Sequence, residues 1–286
     1  MLEALVVADG HTTLRRIVAP APRAGWSRVR VLLAGICRTD VFAADGTLPT
    51  HGPRVLGHEL VGEVLEGAGC GRRVTVNPLL PGPRMLGVDV DGAFADEVLV
   101  PDSALVEVPR ALPLPRAAYV EPIAAALAVQ KAPLPRHGRG LILGAGRIAE
   151  LTLRVLRALG SVDVVAATAH EGGVYDFVIE TAGTAASHAL ALQQVRAGGV
   201  VVLKSRPAAP IPIDVARAVT HDLTLCAVGY APFEEAVEWA ARLEVDDLLG
   251  RVWPLHEGVD AIAAVRAHSL LPKQFLRPRG AGECAA

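Results

Sequence analysis

Three residues near the start of the chain have the chemistry of metal ligands. Cys37, His58 and Glu59 offer a thiolate, an imidazole and a carboxylate within GICRTDVFAADGTLPTHGPRVLGHELVG (35–62), a stretch bent by glycines. Zinc accepts all three ligand types, and a catalytic zinc keeps three protein ligands and one open position. Taken singly, a cysteine is ordinarily a small buried hydrophobe and a histidine a hydrogen-bonded loop residue. Two neighbours move the reading toward a metal centre. Asp40 is placed to accept the second ring N–H of His58 and fix its tautomer, and Thr39 brings a hydroxyl beside the metal.

Strands must carry these residues. Up to about residue 120 the chain alternates short β-rich runs, 5–7, 28–33, 60–65, 73–76 and 97–100, with Gly and Pro punctuation. That pattern predicts a β-rich, barrel-like domain. A different signal follows in LILGAGRIAELTLRVLRALG (141–160): a short apolar strand, the turn Gly144-Ala145-Gly146, then an amphipathic helix led by Arg147 and Ile148. This is a dinucleotide fingerprint, in which glycines let backbone approach a pyrophosphate seated at the positive end of the helix. Ala149 stands at the third glycine position, as the fingerprint allows.

Residues 162–167 predict the next strand, and the position at its end decides cofactor choice. An acid there marks NAD by bonding the ribose 2′-hydroxyl; counting about 19 residues beyond Ala149 reaches Thr168 instead. Its small hydroxyl does not repel a 2′-phosphate. NADP is therefore preferred over NAD, with His170 as the nearby basic group and no arginine following.

GICRTD followed by GHELVG resembles the zinc-dependent medium-chain dehydrogenase/reductase family, the alcohol and polyol dehydrogenases. Further segments are similar to family patterns: 71–74 to its GDRV turn, 91–96 to GGFAEY, 175–180 to FDVVIE and 273–278 to the terminal KVVLRP strand. The resemblance implies an α/β fold: a GroES-like β-barrel catalytic domain, residues 1–123 completed by 229–286, and a shortened Rossmann doubly wound parallel sheet at 124–228. A helix and a strand are missing before Tyr175, so the sheet is expected to be narrower than six strands. The family's four-cysteine lobe is also missing, since NPLLPGPRMLGVDV (77–90) contains no cysteine. One catalytic zinc and no structural zinc are expected, and Cys70 is expected to be a packed thiol.

The resemblance also brings Glu121, in YVEPIAAALAV, to the metal; on its own residue chemistry it is an acid at a helix start. Glu59 and Glu121 compete for the third ligand position, the other holding a bound water. Thr39 would relay the alcohol proton, but Phe42 occupies the place of the histidine that often ends the relay, leaving His51 or water. Arg38 is either a solvated loop arginine or a contact to the cofactor pyrophosphate. Lys204, after the strand 200–203, is either a surface residue, the default, or an approach to the nicotinamide.

At 286 residues the chain has room for two domains, and 51% hydrophobic against 20% charged residues fits buried cores. With 28 basic and 30 acidic residues, nothing predicts binding to nucleic acid or an anionic membrane. Cys37, Cys70, Cys226 and Cys284 are scattered without a CxxC, which suits reduced thiols and a cytoplasmic protein. MLEALVVADG lacks a basic region ahead of its apolar run, so no signal peptide or anchor is expected. The richness in Ala, Arg, Gly and Pro suggests a bacterial gene, and the last eight residues are expected to fray.

The implied activity is hydride transfer between NAD(P) and a secondary alcohol or ketone. A polyol, cyclitol or sugar-derived substrate is expected, and the compact form also resembles dehydrogenases of bacterial biosynthesis. In the family it resembles, the edge strand at 223–228 commonly pairs across a dimer interface, so the resemblance implies a homodimer or higher homo-oligomer. The alternatives are a zinc-free enone- or quinone-type reductase and a non-catalytic NAD(P)-binding protein.

Overall fold

The computed structural model describes residues 1–82, 84–161, 163–169, 173–207, 209–268 and 272–279. His170, and residues 280–286 of the tail expected to fray, lie outside the described residues. The chain divides into two compact units, Met1–Glu121 with Val237–Ala286, and Pro122–Ala236.

The first unit opens with a hairpin, β1 (Leu2–Ala8) and β2 (His11–Ile17), then β3 (Trp26–Gly35) and a short helix, α1 (Arg38–Ala44). It continues through β4 (Arg54–Val55), β5 (Glu59–Glu66), β6 (Arg73–Val76) and a small hairpin, β7 (Leu79–Leu80) and β8 (Arg84–Met85). After these come β9 (Glu97–Pro101), β10 (Leu105–Glu107), α2 (Leu114–Ala118) and α3 (Val120–Leu127). The second unit runs β11 (Gly140–Leu143), α4 (Arg147–Ala158), β12 (Val164–Ala167), β13 (Tyr175–Glu180), α5 (Ala185–Gln194), β14 (Val195–Leu203), α6 (Val215–Thr220) and β15 (Thr224–Ala227). The chain closes with α7 (Phe233–Arg242), β16 (Leu249–Pro254), α8 (Gly258–Ala267) and β17 (Lys273–Arg277).

The main sheet of the first unit has the order β10-β6-β5-β3-β17-β16, with β9 also pairing β3. β3 shows why it sits at the centre. Val29, Val31 and Leu33 alternate onto one face and are fully buried, each worth roughly 1.5–3 kcal/mol over exposure. Arg28 and Arg30 take the other face and pair with Glu66, Glu97 and Glu63 at 3.1–3.2 Å. At the end of β3 the register places Gly35 opposite Glu59 of β5 on one side and Phe275 of β17 on the other. A side chain at Gly35 would collide with the Glu59 carboxylate and come within 2.9 Å of Lys273 Cε.

The second unit holds a parallel sheet of five strands, β12-β11-β13-β14-β15, fewer than the six of a full doubly wound sheet. The strand order reverses between β11 and β13, the point at which such sheets bind ligands outside the carboxyl ends of the strands. β14 begins at Val195, five residues before the start read from sequence, because a register irregularity lets Val195 also pair with Tyr175. Among the described residues no helix is long and apolar enough to cross a membrane.

Candidate metal centre and dinucleotide site

Cys37 follows two residues after Gly35 and caps the start of α1. Asp40, in the first turn of that helix, accepts the Cys37 backbone N–H at 2.8 Å through Oδ2 and the Gly57 N–H at 3.1 Å through Oδ1. One buried carboxylate therefore ties together the two backbone segments that carry Cys37 and His58. Gly57 has φ +96°, and a Cβ there would run into the Phe94 ring, so only glycine launches His58 and Glu59 in this direction. The outcome is a cluster: the ligand atoms of Cys37, His58 and Glu59 all lie within 4.8 Å of one another.

His58 and Glu59 are buried, each 1% exposed, and Cys37 is half-buried. His58 Nδ1 lies 3.4 Å from Asp40 Oδ1 but forms no hydrogen bond there. Thr39 Oγ1 stands 3.7 Å from Cys37 Sγ. Burial works against a charged His58, but the nearby Asp40 and Cys37 outweigh it and raise its pKa well above the usual value. Burial raises the pKa of Glu59; Lys273 opposes that rise and Glu121 adds to it. Glu121, buried in the first turn of α3, is thus an electrostatic neighbour of Glu59, although its carboxylate is not among the three that meet within 4.8 Å. A thiolate, an imidazole and a carboxylate converging at one buried point fit zinc.

Sequence reasoning passed over Lys273. Its Nζ lies 2.5 Å from Glu59 Oε1, and the two side chains are almost fully buried. They stand 214 residues apart, so no local spacing could link them. The only hint was a lysine at the head of the terminal strand, where the register through Gly35 brings it beside Glu59. Around the cluster, Arg38 is exposed and its guanidinium covers the Phe42 ring at 5.3 Å, while His51 is exposed on a loop. Cys70 is exposed and not the packed thiol expected; its Sγ lies 3.2 Å from the Leu65 carbonyl, on the turn after β5.

In the second unit, Gly144 and Gly146 form the turn between β11 and α4, with φ +144° at Gly144 and nothing within 4 Å of where a Gly146 Cβ would sit. Gly146 is the helix cap and supplies no side-chain hydrogen bond. Open space beside the first-turn N–H groups suits an anion such as a pyrophosphate. Arg147 and Ile148, both half-buried, open the helix, and Thr168 is exposed directly after β12.

The carboxyl ends of β13 to β15 hold charged groups that the sequence did not reveal. Glu180 is fully buried. Its Oε1 accepts from Ala182 N, Gly183 N and Ser187 Oγ at 2.7–2.8 Å, its Oε2 accepts from Ser205 Oγ, and His188 Nε2 lies 3.5 Å from Oε2. Lys204 is not the surface residue expected by default: it is 9% exposed, and its Nζ donates to the Gly229 carbonyl at 3.0 Å.

Comparison with known proteins places this geometry. The alcohol dehydrogenase GroES-like domain matches residues 23–110. A 2-dehydro-3-deoxy-L-galactonate 5-dehydrogenase of Pseudoalteromonas atlantica is 29% identical over 180 residues, covering 54% of this chain and 51% of that protein. A probable zinc-binding alcohol dehydrogenase of Mycobacterium tuberculosis is 27% identical, with 96% of this chain and 88% of the relative covered. A solved structure from Sinorhizobium meliloti, assigned as a zinc-binding dehydrogenase and bound to NADP, is 25% identical with a TM-score of 0.86, covering 97% of this chain and 99% of that one. The chain spans about half the length of the first curated relatives it matches. Residues 23–110 belong to the alcohol dehydrogenase GroES-like domain family, and the chain, with its parallel dinucleotide-type sheet, is similar over most of its length to zinc-type alcohol dehydrogenases.

Proposed function

We propose that this chain is a zinc-dependent oxidoreductase that moves a hydride reversibly between a secondary alcohol and NAD(P), with a polyol, cyclitol or sugar-derived alcohol as substrate. The observation that carries the proposal is the convergence of the ligand atoms of half-buried Cys37 and buried His58 and Glu59 within 4.8 Å of one another. Cys37 and His58 would be the ligands and Glu59 would complete the set, with Glu121, the electrostatic neighbour of Glu59, holding a bound water. One zinc serves catalysis, and the cysteine-free segment 77–90 leaves no four-cysteine set there for a second.

Bound zinc would supply Lewis acidity toward the alcohol oxygen and a bound NAD(P) the hydride acceptor or donor. Asp40 orients His58 from behind the cluster. Lys273 holds the charge of Glu59 whenever that carboxylate is off the metal. Thr39 takes the proton of the alcohol and hands it to water, the role of relay terminus falling to solvent because Phe42 cannot carry a proton. Gly144, Gly146, Arg147 and Ile148 seat the pyrophosphate at the start of α4. Thr168 brings no negative charge to the ribose 2′ position, which favours NADP, the cofactor bound by the S. meliloti relative. We place the enzyme in the cytoplasm as a homodimer or higher oligomer.

Elemental analysis of protein purified without chelator tests the reading, paired with a screen of secondary alcohols against both cofactors. About one zinc per chain is expected in the wild type and essentially none in Cys37→Ala, with alcohol-dependent NAD(P)H formation lost alongside the metal. A wild type that folds, binds dinucleotide and contains no zinc would overturn the Lewis-acid mechanism and leave a zinc-free reductase.

A further inference from the structure

We propose that Gly87 and Gly92 are positioning residues of the metal centre: their backbones press on Gly57 and fix the turn from which His58 and Glu59 leave, so that segment 85–92 sets how well the cluster holds its ion. The inference rests on the zinc reading of Cys37, His58 and Glu59. It begins from a place in the interior of the first unit where Gly57, Gly87 and Gly92 meet, all of them buried.

The contacts are between main chains. A Cβ at Gly87 would lie 2.7–2.8 Å from the N, C and O atoms of Gly57. One at Gly92 would collide with the Gly57 carbonyl oxygen and come within 2.6 Å of the Leu56 carbonyl oxygen and 2.7 Å of Gly87 Cα. None of these atoms belongs to a side chain that could swing aside, so an added methyl must displace backbone. The backbone in its way is residues 56 and 57, directly ahead of His58. Gly57 is held at both of its polar groups: its N–H donates to Asp40 Oδ1 at 3.1 Å, and its carbonyl accepts the Ala93 N–H at 2.9 Å. The N–H groups of Gly92 and Phe94 extend the same pairing, donating to the Val55 and Leu56 carbonyls at 2.8 Å.

The segment that presses on Gly57 is closed on itself. Asp89 Oδ2 accepts the Met85 N–H at 2.7 Å, the Met85 carbonyl accepts the Asp89 N–H at 2.8 Å, and the Val90 carbonyl accepts the Gly87 N–H at 2.8 Å. Leu86, fully buried, pins the turn in the core. Gly87, at φ +76°, has a conformation that other residues seldom adopt. None of these bonds uses Cys37, His58 or Glu59; the segment is shaped by its own sequence. Such a backstop matters more to a metal than to a fold. Zinc–ligand distances vary by only about 0.2 Å, and changes just behind the ligands typically cost about 10–100-fold in affinity. A methyl at Gly92 that displaces Gly57 carries His58 with it.

The test measures zinc affinity by chelator competition, and the absorption spectrum of the cobalt(II)-substituted protein, for full-length wild type, Gly92→Ala and Gly67→Ala. Gly67 is the control. It directly follows β5, at the end of the strand away from Glu59, with φ +107°, and a Cβ there would come within 2.8 Å of Ser27 Cα at the start of β3. Both variants are expected to lower the urea stability of the metal-free protein. Only Gly92→Ala is expected to lower zinc affinity, by at least about tenfold, and to shift the cobalt bands. Gly92→Ala with wild-type affinity and spectrum would overturn the proposal. So would an equal loss of affinity in Gly67→Ala, which would reduce the effect to general destabilisation. Should Gly92→Ala fail to fold, Asp89→Ala decides, because it opens the Met85 turn without adding an atom at Gly57: a loss of about threefold supports the proposal and an unchanged affinity overturns it. A folded wild type that binds neither zinc nor cobalt would instead remove the metal reading itself, and this proposal with it.

Discussion

Glu59 and Glu180 are both carboxylates sealed inside the protein, and they are treated in opposite ways. Glu180 receives four hydrogen bonds, two of them from backbone amides of the turn that follows it. Among the described residues Glu59 has one hydrogen-bond partner, the Lys273 ammonium, while burial and the neighbouring Glu121 carboxylate push its pKa up. A carboxylate that accepts four hydrogen bonds holds a turn in place. One that meets a single cation keeps lone pairs for something else, and it stands within 4.8 Å of the Cys37 sulfur and the His58 ring. Burial alone does not mark a site; the number of donors around the buried group does.

The contrast is broken most forcefully at Lys273. Removing one partner of a buried ion pair leaves an uncompensated charge, so Lys273→Met is expected to destabilise the metal-free protein by roughly 3–5 kcal/mol in urea unfolding. With zinc bound the loss should shrink, because a metal cation neutralises Glu59 in place of the lysine. An equal loss with and without zinc would show that Glu59 is not part of the metal set. Glu180→Gln should cost less, about 1–3 kcal/mol, since an amide nitrogen replaces an acceptor facing backbone donors. Its zinc content should be that of the wild type; a Glu180→Gln protein that loses metal would erase the distinction between the two carboxylates.

The gentlest probe is pH. Glu59 and His58 both have raised pKa values in the folded, metal-free chain. Each therefore binds its proton more tightly folded than unfolded and contributes stability at low pH that is lost as pH rises, beginning above the ordinary values of 4.5 for Glu59 and 6.5 for His58. Metal-free protein should lose this contribution through neutral pH, whereas zinc affinity should climb over the same range as the ligands shed their protons. Urea midpoints measured against pH, with and without zinc, check the sign; parallel profiles would place the metal elsewhere.

What was legible in the sequence was what is local. Cys37, Thr39 and Asp40 share one turn, His58 and Glu59 are adjacent, and the glycine turn with α4 lies within a single continuous segment. The strand alternation of β3 and the short run of parallel strands were equally plain. Hidden were the features made by strand order. Lys273 joins the cluster only because β17 pairs with β3 at Gly35, and Lys204 is buried only because the ends of β13, β14 and β15 converge on it. A lysine after a strand is by composition a surface residue, and neither periodicity nor a spacing rule could have turned it inward. Cys70 failed in the other direction: a thiol reads as a core residue, and the turn after β5 carries it into solvent.

The pairing of Glu59 with Lys273 also has a consequence for biosynthesis. The ribosome releases the thiolate, the imidazole and the carboxylate of the cluster long before it makes the lysine that balances them, 214 residues later. At synthesis rates of roughly 5–20 residues per second, that interval is about 10–40 s. Throughout it Lys273 itself is absent, and metal that reached the cluster before β17 was made would not have to displace it from Glu59.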